Sequence, residues 1–315
     1  MLINTARVAL LALSVSVGVP VMASENANVP VAQRVDLSPD RQRIRAPRNE
    51  TAIAQIPSGF KFAHTGKFTV AVSGVAGAPL ALLADDAKTT IGSEADTAQL
   101  VADGLGLQLN VVQTSWEDWP LGVSSGKYDA VISNVTVTEA RKKRFDFATY
   151  RQDVLGFYVK TSSKIASIKE AKDIAGLKII VGSGTNQEKV LLAWNDTNEK
   201  AGIQPALLQY FDDQAAAQLA VQSGRSDAIF GPNSMCAYSA AVTGGIRLVG
   251  LVNGGWPLQA DIAVVTRKDN GLIQAIHASL EGAIAGGQYD QVLQRWGLNV
   301  ERIDKSQINP PGLPD

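Results

Sequence analysis

The sequence predicts an α/β fold with parallel-rich sheets, built as two similar lobes. Short apolar strands alternate with helices of roughly ten residues, the pattern of layered α/β chains. Two strands run into small polar turns, Ser133-Asn134-Val135-Thr136 and Gly182-Ser183-Gly184-Thr185-Asn186. Ligands of such sheets sit at the carboxyl ends of strands. A layout also repeats. Tyr128-Asp129-Ala130-Val131-Ile132 and Ser226-Asp227-Ala228-Ile229-Phe230 each follow a helix closed by Ser-Gly, at Ser125-Gly126 and Ser223-Gly224.

The elements follow in order. Arg7, an apolar run from Val8 to Val21 and the small residues of Val21-Met22-Ala23 read as a removable secretion signal over residues 1–23. The run is short for a bilayer helix, which needs about 20 residues; a membrane anchor is the rival reading. Residues 24–59 lack apolar periodicity and read as a flexible leader, made locally basic by Arg41, Arg43, Arg45 and Arg48. Phe68 to Val72 is a β-rich run, followed by a loop with Gly74, Gly77 and Pro79. Thr97 to Leu105 reads as a helix ended by Gly106, and Leu107 to Val112 as a strand. Trp119 to Ser125 is a short helix and Tyr128 to Ile132 a strand. Strands at Gly156–Val159, Leu177–Val181, Ala206–Tyr210 and Asp227–Phe230 alternate with helices at Asn186–Trp194 and Asp213–Gln222. Thr138 and Asp213 suit N-caps. Trp296 belongs to the apolar face of a late helix, and the proline-rich tail over residues 301–315 runs extended along the surface.

Composition narrows the function. A formal net charge of -1 gives no basic surface for nucleic acid. One cysteine forms no internal disulfide, and two histidines argue against a structural zinc site. No metal and no cofactor are expected.

The chain resembles the extracytoplasmic solute-binding proteins of ABC importers, the polar amino-acid family, over about residues 60–300. The marks are Phe68–Val72, Trp116 before Gly126-Lys127-Tyr128-Asp129, Thr136-Val137-Thr138-Glu139-Ala140-Arg141 and Phe145-Asp146-Phe147-Ala148-Thr149-Tyr150. They continue with Ile174-Ala175-Gly176-Leu177-Lys178, Gly184-Thr185, Ser223-Gly224-Arg225-Ser226-Asp227-Ala228, and Gly286-Gly287-Gln288-Tyr289 before Trp296. Each is weak alone; their order and spacing are strong together. The resemblance implies a periplasmic-binding-protein fold, with two lobes joined by two hinge strands and closing on a ligand. It places lobe one at 60–157 plus 260–300 and lobe two at 162–256, with crossings near Tyr158–Thr161 and Gln259–Val264. It implies a monomer in the periplasm that captures a small amino acid or amino-acid-like carboxylate and delivers it to a membrane permease.

It also implies roles for residues. Arg141 grips the ligand carboxylate, for which a planar guanidinium offers two parallel hydrogen bonds. Thr136 and Asn134 add polar contacts. Thr185 and Asn186 open a helix whose free N–H groups favour the same anion. Trp116 forms an aromatic wall. There are two departures. The family's amine-binding Asp falls on Pro232, which has neither charge nor N–H. Asn233 or Asp261 compensates, or the ligand lacks a standard primary α-amine. Gly77-Ala78-Pro79-Leu80 also gives a less aromatic wall than the family's.

Two other functions use the same scaffold. A ligand sensor for a membrane receptor would need the same closure. A periplasmic dehydratase-like enzyme would need a poised acid or base in the cleft. Neither His64 nor His277 falls on a cleft-forming turn, and Glu94, Asp96 and Glu117 are the nearer candidates.

Overall fold

A computed structural model describes residues 36–73 and 77–314. The secretion signal and the start of the leader, residues 1–35, lie outside them.

The first sheet has five strands in the order β4-β1-β5-β12-β6. These are β1 (Lys67–Ser73), β4 (Gln108–Thr114), β5 (Ala130–Val131), β6 (Phe145–Gln152) and β12 (Asp261–Arg267). β1 runs parallel to β4 and β5, whereas β12 is antiparallel to β5 and β6. Helices cover both faces, so β1 is apolar on both sides. Phe68, Val70 and Val72 face one core with Leu272 and Ile276, while Ala71 faces another with Trp119, Phe147 and Val265. A small antiparallel pair, β2 (Leu82–Leu83) and β3 (Thr90–Ile91), flanks this lobe.

The second sheet also has five strands, in the order β11-β7-β10-β8-β9. They are β7 (Val154–Lys160), β8 (Lys178–Val181), β9 (Leu207–Tyr210), β10 (Ala228–Pro232) and β11 (Ile246–Asn253). β8 is parallel to β9 and β10. One face packs Phe157, Trp194 and Phe230, the other Tyr158, Ile180, Ala217 and Cys236.

The helices are α1 (Glu50–Ala54), α2 (Ser93–Gly104), α3 (Trp119–Ser125), α4 (Glu139–Lys142), α5 (Asn186–Lys200), α6 (Gln214–Gln222), α7 (Asn233–Thr243), α8 (Leu272–Ala285) and α9 (Gln288–Trp296). Gly126 ends α3 in the left-handed region at φ 77°, and Gly224, at φ 79°, follows the end of α6. The repeated layout has a physical basis. Asp129 accepts from Thr69 N at 2.7 Å and Asp227 from Lys178 N at 2.8 Å. In each lobe, an Asp entering one strand fixes the start of its parallel neighbour.

Several expectations are revised. The chain changes sheet at Asp153, between β6 and β7, rather than near Tyr158–Thr161. Residues 154–160 therefore belong to the second lobe, because β7 pairs with β10 and β11. The return crossing is 254–260, between β11 and β12.

The leader, over its described residues, is packed rather than loose. Arg41 and Arg43 reach the buried Asp96 at 3.1 and 3.2 Å, and Arg45 reaches Asp103 at 2.5 Å. Arg41 also stacks on Trp296, 4.6 Å from the ring centroid.

The tail is extended, but it is paired and partly buried. Ile308 bridges Ala148 and Leu313 bridges Thr138, while Ser306 and Leu313 are buried.

Helix α2 starts four residues early, at Ser93, because Ser93 N and Glu94 N donate to the carbonyls of Pro79 and Leu80. Helix α7 has no counterpart in the sequence reading.

Candidate functional site

A cleft opens between the carboxyl ends of the two sheets, with a volume of about 190 Å³. That is room for a small molecule and not for a polymer. Its first wall carries Ser73 at the end of β1, Trp116 after β4, and Ser133, Asn134 and Thr136 after β5, with Arg141 on α4. Its second wall carries Gly182, Thr185 and Asn186 after β8, Phe211 and Gln214 after β9, and Pro232 at the end of β10.

Arg141 is the central group. Thr138 caps α4, its hydroxyl accepting from Arg141 N at 3.2 Å, and this sets where the side chain leaves the backbone. Nη1 donates to the Thr136 carbonyl at 2.9 Å. The guanidinium carbon lies 5.4 Å from the Trp116 ring centroid and 6.0 Å from that of Trp119. Burial alone pushes the guanidinium down to about 10, so it stays cationic at neutral pH. Among the described residues no carboxylate forms a salt bridge with it. A desolvated cation without a counter-ion favours an incoming anion, because pairing offsets the cost of its burial.

Asn134 lines the cleft, but its amide oxygen is already engaged. The residue sits in the left-handed region at φ 52°. Its Oδ1 accepts from Arg151 Nη2 at 2.6 Å. Arg151 is fully buried and paired with Glu94 at 2.9 Å and with Glu301. Burial opposes its charge, yet the two carboxylates outweigh that and hold its pKa well above the ordinary value.

Thr185 is the N-cap of α5. Its hydroxyl accepts from Glu188 N at 3.2 Å and donates to the Gly182 carbonyl at 2.7 Å. Its side chain is thus engaged, and a ligand would meet the first N–H groups of α5, which lack helical partners. Asn186 is 7% exposed and its Nδ2 has no partner. Ser73 Oγ and Gln214 Oε1, also in the lining, have no partner among the described residues either. A buried polar group left unpaired costs about 1–3 kcal/mol, which a ligand can relieve.

The structure therefore gathers Arg141, Thr136, Asn134, Thr185, Asn186 and Trp116 around one cleft. It does not bring Asn233 and Asp261 into the lining. Asn233 begins α7, and its Oδ1 accepts from the Tyr158 hydroxyl at 2.8 Å. Asp261 starts β12, opposite Gln152. Neither compensates within the cleft for the missing acid at Pro232. The acids in the lining, Glu117, Asp212 and Asp213, are exposed, and Asp213 is engaged in capping α6. The sequence reading missed Ser73, Phe211 and Gln214. Each lies at or just beyond a strand's carboxyl end, so the same edge rule applied to β1 and β9 would have found them.

Comparison with known proteins agrees with this arrangement. The family model described as bacterial extracellular solute-binding proteins, family 3, matches residues 69–299. The L-cystine-binding protein TcyJ of Escherichia coli (strain K12) is 33% identical over 152 residues, 48% of this chain and 53% of that protein. The ABC transporter glutamine-binding protein GlnH of Bacillus subtilis (strain 168) is 27% identical over 175 residues, 55% of this chain and 59% of that protein. The chain thus spans little more than half the length of these curated relatives. Among solved structures, an ancestral arginine-binding protein bound to arginine superposes with a TM-score of 0.63 at 26% identity, covering 73% of this chain and 98% of that one.

Proposed function

The chain belongs to the bacterial extracellular solute-binding proteins, family 3, and on that premise we propose that it captures a small amino-acid-like carboxylate in the periplasm and hands it to the permease of an ABC importer. The observation that carries this reading is Arg141, a desolvated guanidinium in an interlobe cleft with no carboxylate paired to it among the described residues. The ligand's carboxylate docks on Arg141 and Thr136 from the first lobe. The N–H groups at the start of α5, beside Thr185 and Asn186, approach it from the second. Contacts made from both sides exist only when the lobes are together, so the ligand favours the closed state by its differential affinity. Trp116 covers one side of the bound molecule.

Relatives named for cystine, glutamine and arginine binding support an amino-acid-like cargo. The absence of an acid at Pro232 leaves the amine end of that cargo open, and opines and modified amino acids stay within the class. The test begins with native mass spectrometry of the protein before dialysis, followed by calorimetry with whatever is retained and with an amino-acid panel. Arg141→Ala is expected to weaken binding by at least ~100-fold while leaving the far-UV CD spectrum intact. Unchanged affinity refutes the reading.

A further inference from the structure

The family match ends at residue 299, yet the tail beyond it touches the cleft wall at two places. The first is near Asn134. Glu301 is buried and pairs with Arg151, which also holds Asn134 Oδ1 at 2.6 Å. The second is at the start of α4. Leu313 N donates to the Val137 carbonyl at 3.0 Å, and Glu139 N donates back to the Leu313 carbonyl at 2.8 Å. Gly312 N donates to Glu139 Oε1 at 2.7 Å.

Between these points the tail runs along β6, the edge strand of the first sheet. Thr149 N donates to the Gln307 carbonyl at 3.0 Å and Asn309 N to the Phe147 carbonyl at 3.0 Å. Asn309 Oδ1 accepts from Phe147 N at 2.9 Å, and its Nδ2 donates to Asp146 at 3.0 Å.

We infer that the tail over residues 301–313 is a positioning element for the binding site, holding the segment Asn134–Arg141 in the geometry that presents Arg141 to the cargo. The inference rests on the reading of Arg141 as the carboxylate anchor. Its physical basis is the smallness of α4, which spans only Glu139–Lys142. A single turn does not hold itself together, since isolated helices of this length are unstable in water. Its first N–H group is normally an orphan, and here the tail supplies the acceptor. The approach is close enough to require glycine. A Cβ on Gly312 would lie 2.7 Å from the Thr138 carbonyl carbon and 2.8 Å from Glu139 N, both backbone atoms that cannot swing aside. Arg141 lies two residues beyond this clamp, and its backbone N–H is bound to the clamped Thr138.

The test uses Gly312→Val in the full chain, with Pro311→Ser, at an exposed neighbour, as control. Hydrogen exchange is measured without ligand, and L-cystine, L-glutamine and L-arginine are titrated by calorimetry. Exchange over residues 137–141 is expected to quicken at least ~10-fold in Gly312→Val and not in the control. Affinity for the best of the three probes is expected to fall at least ~10-fold, with the exchange of the second sheet unchanged.

Unchanged exchange over residues 137–141, or unchanged affinity, overturns the inference. If none of the probes binds the intact protein, the exchange result decides alone. A chain ending at Pro311 replaces Gly312→Val if that variant does not fold. Arg141→Ala run in parallel separates the two claims. Binding lost in Arg141→Ala but kept in Gly312→Val rejects the tail's role and leaves the anchor standing. Binding kept in Arg141→Ala rejects the anchor itself.

Discussion

Arg141 lies over the face of Trp116, 5.4 Å from the ring centroid, inside the cleft. The indole offers partial compensation to a guanidinium that has no acid paired to it among the described residues, an interaction worth about 2 kcal/mol when desolvated. Trp116→Ala is therefore expected to weaken ligand binding about tenfold, and Trp116→Phe by less, since a phenyl face retains part of the attraction. Arg141→Lys is expected to keep only a fraction of the affinity, because an ammonium cannot make the paired hydrogen bonds of a guanidinium. Calorimetry on the three variants checks the order.

Pro232 lies in the lining, and the acids around it are exposed. A buried carboxylate there would supply an ammonium partner that the cleft lacks. Pro232→Asp is expected to raise affinity for α-amino acids at least ~10-fold relative to their des-amino counterparts, by the strength of a charge-assisted hydrogen bond. Thermal-shift ranking of matched pairs, with and without the α-amine, measures it.

Asp153 stands in the single-residue crossing between the sheets. Burial pushes its carboxyl from 3.8 up to about 6, against the opposing pull of Arg151 and Asn134. Its folded pKa exceeds its unfolded one, so the native state binds the proton more tightly between those values. The stabilisation is complete below about 3.8 and is lost as pH rises through about 6. Asp153→Asn is expected to flatten that dependence and to raise the melting midpoint by a few degrees at about pH 8 and by roughly half as much at about pH 5, with little change at about pH 3. Melting curves across that range decide the matter.

Asp96 is buried beside Arg41, Arg43 and Arg295, and it accepts from Trp296 Nε1 at 2.8 Å. Removing the leader through Arg48 strips two of those cations from an acid that stays buried. Breaking such a group typically costs about 3–5 kcal/mol. The shortened chain is expected to melt roughly 6–20 °C lower, with ligand affinity at low temperature unchanged, because none of the leader's described residues lines the cleft.

Elements whose causes are local were legible in the sequence. Strand β1 shows its burial as an apolar run broken only by Thr69, from Phe68 to Val72, and Gly126 and Gly224 mark helix ends because their φ angles demand glycine. Thr138 and Asp213 are caps that three residues of sequence suffice to define. What stayed hidden depends on partners far along the chain. Arg45 and Asp103 are 58 residues apart, so an arginine-rich stretch reads as a tether until the acids beneath it are seen. Pro232 and the small residues of α7 carry weak helix signals, and the helix is held by packing against β7 and β11. Asn134 looks like a ligand contact by position alone. Its amide oxygen is in fact taken by the buried Arg151, 17 residues further along the chain.

Asp153 N donates to the Ala260 carbonyl at 2.9 Å, and Gly254 N donates to the Asp153 carbonyl at 3.0 Å. The stretch 154–253 thus leaves and rejoins the rest of the molecule at one point, while β1 and β12 of the other sheet lie nearly two hundred residues apart. A chain emerging from its N-terminal end has the whole of that inner stretch available before β12 exists. The second lobe therefore has its whole sequence in hand before the first does, and the sheet of the half that bears Arg141 is complete only once β12 has been delivered.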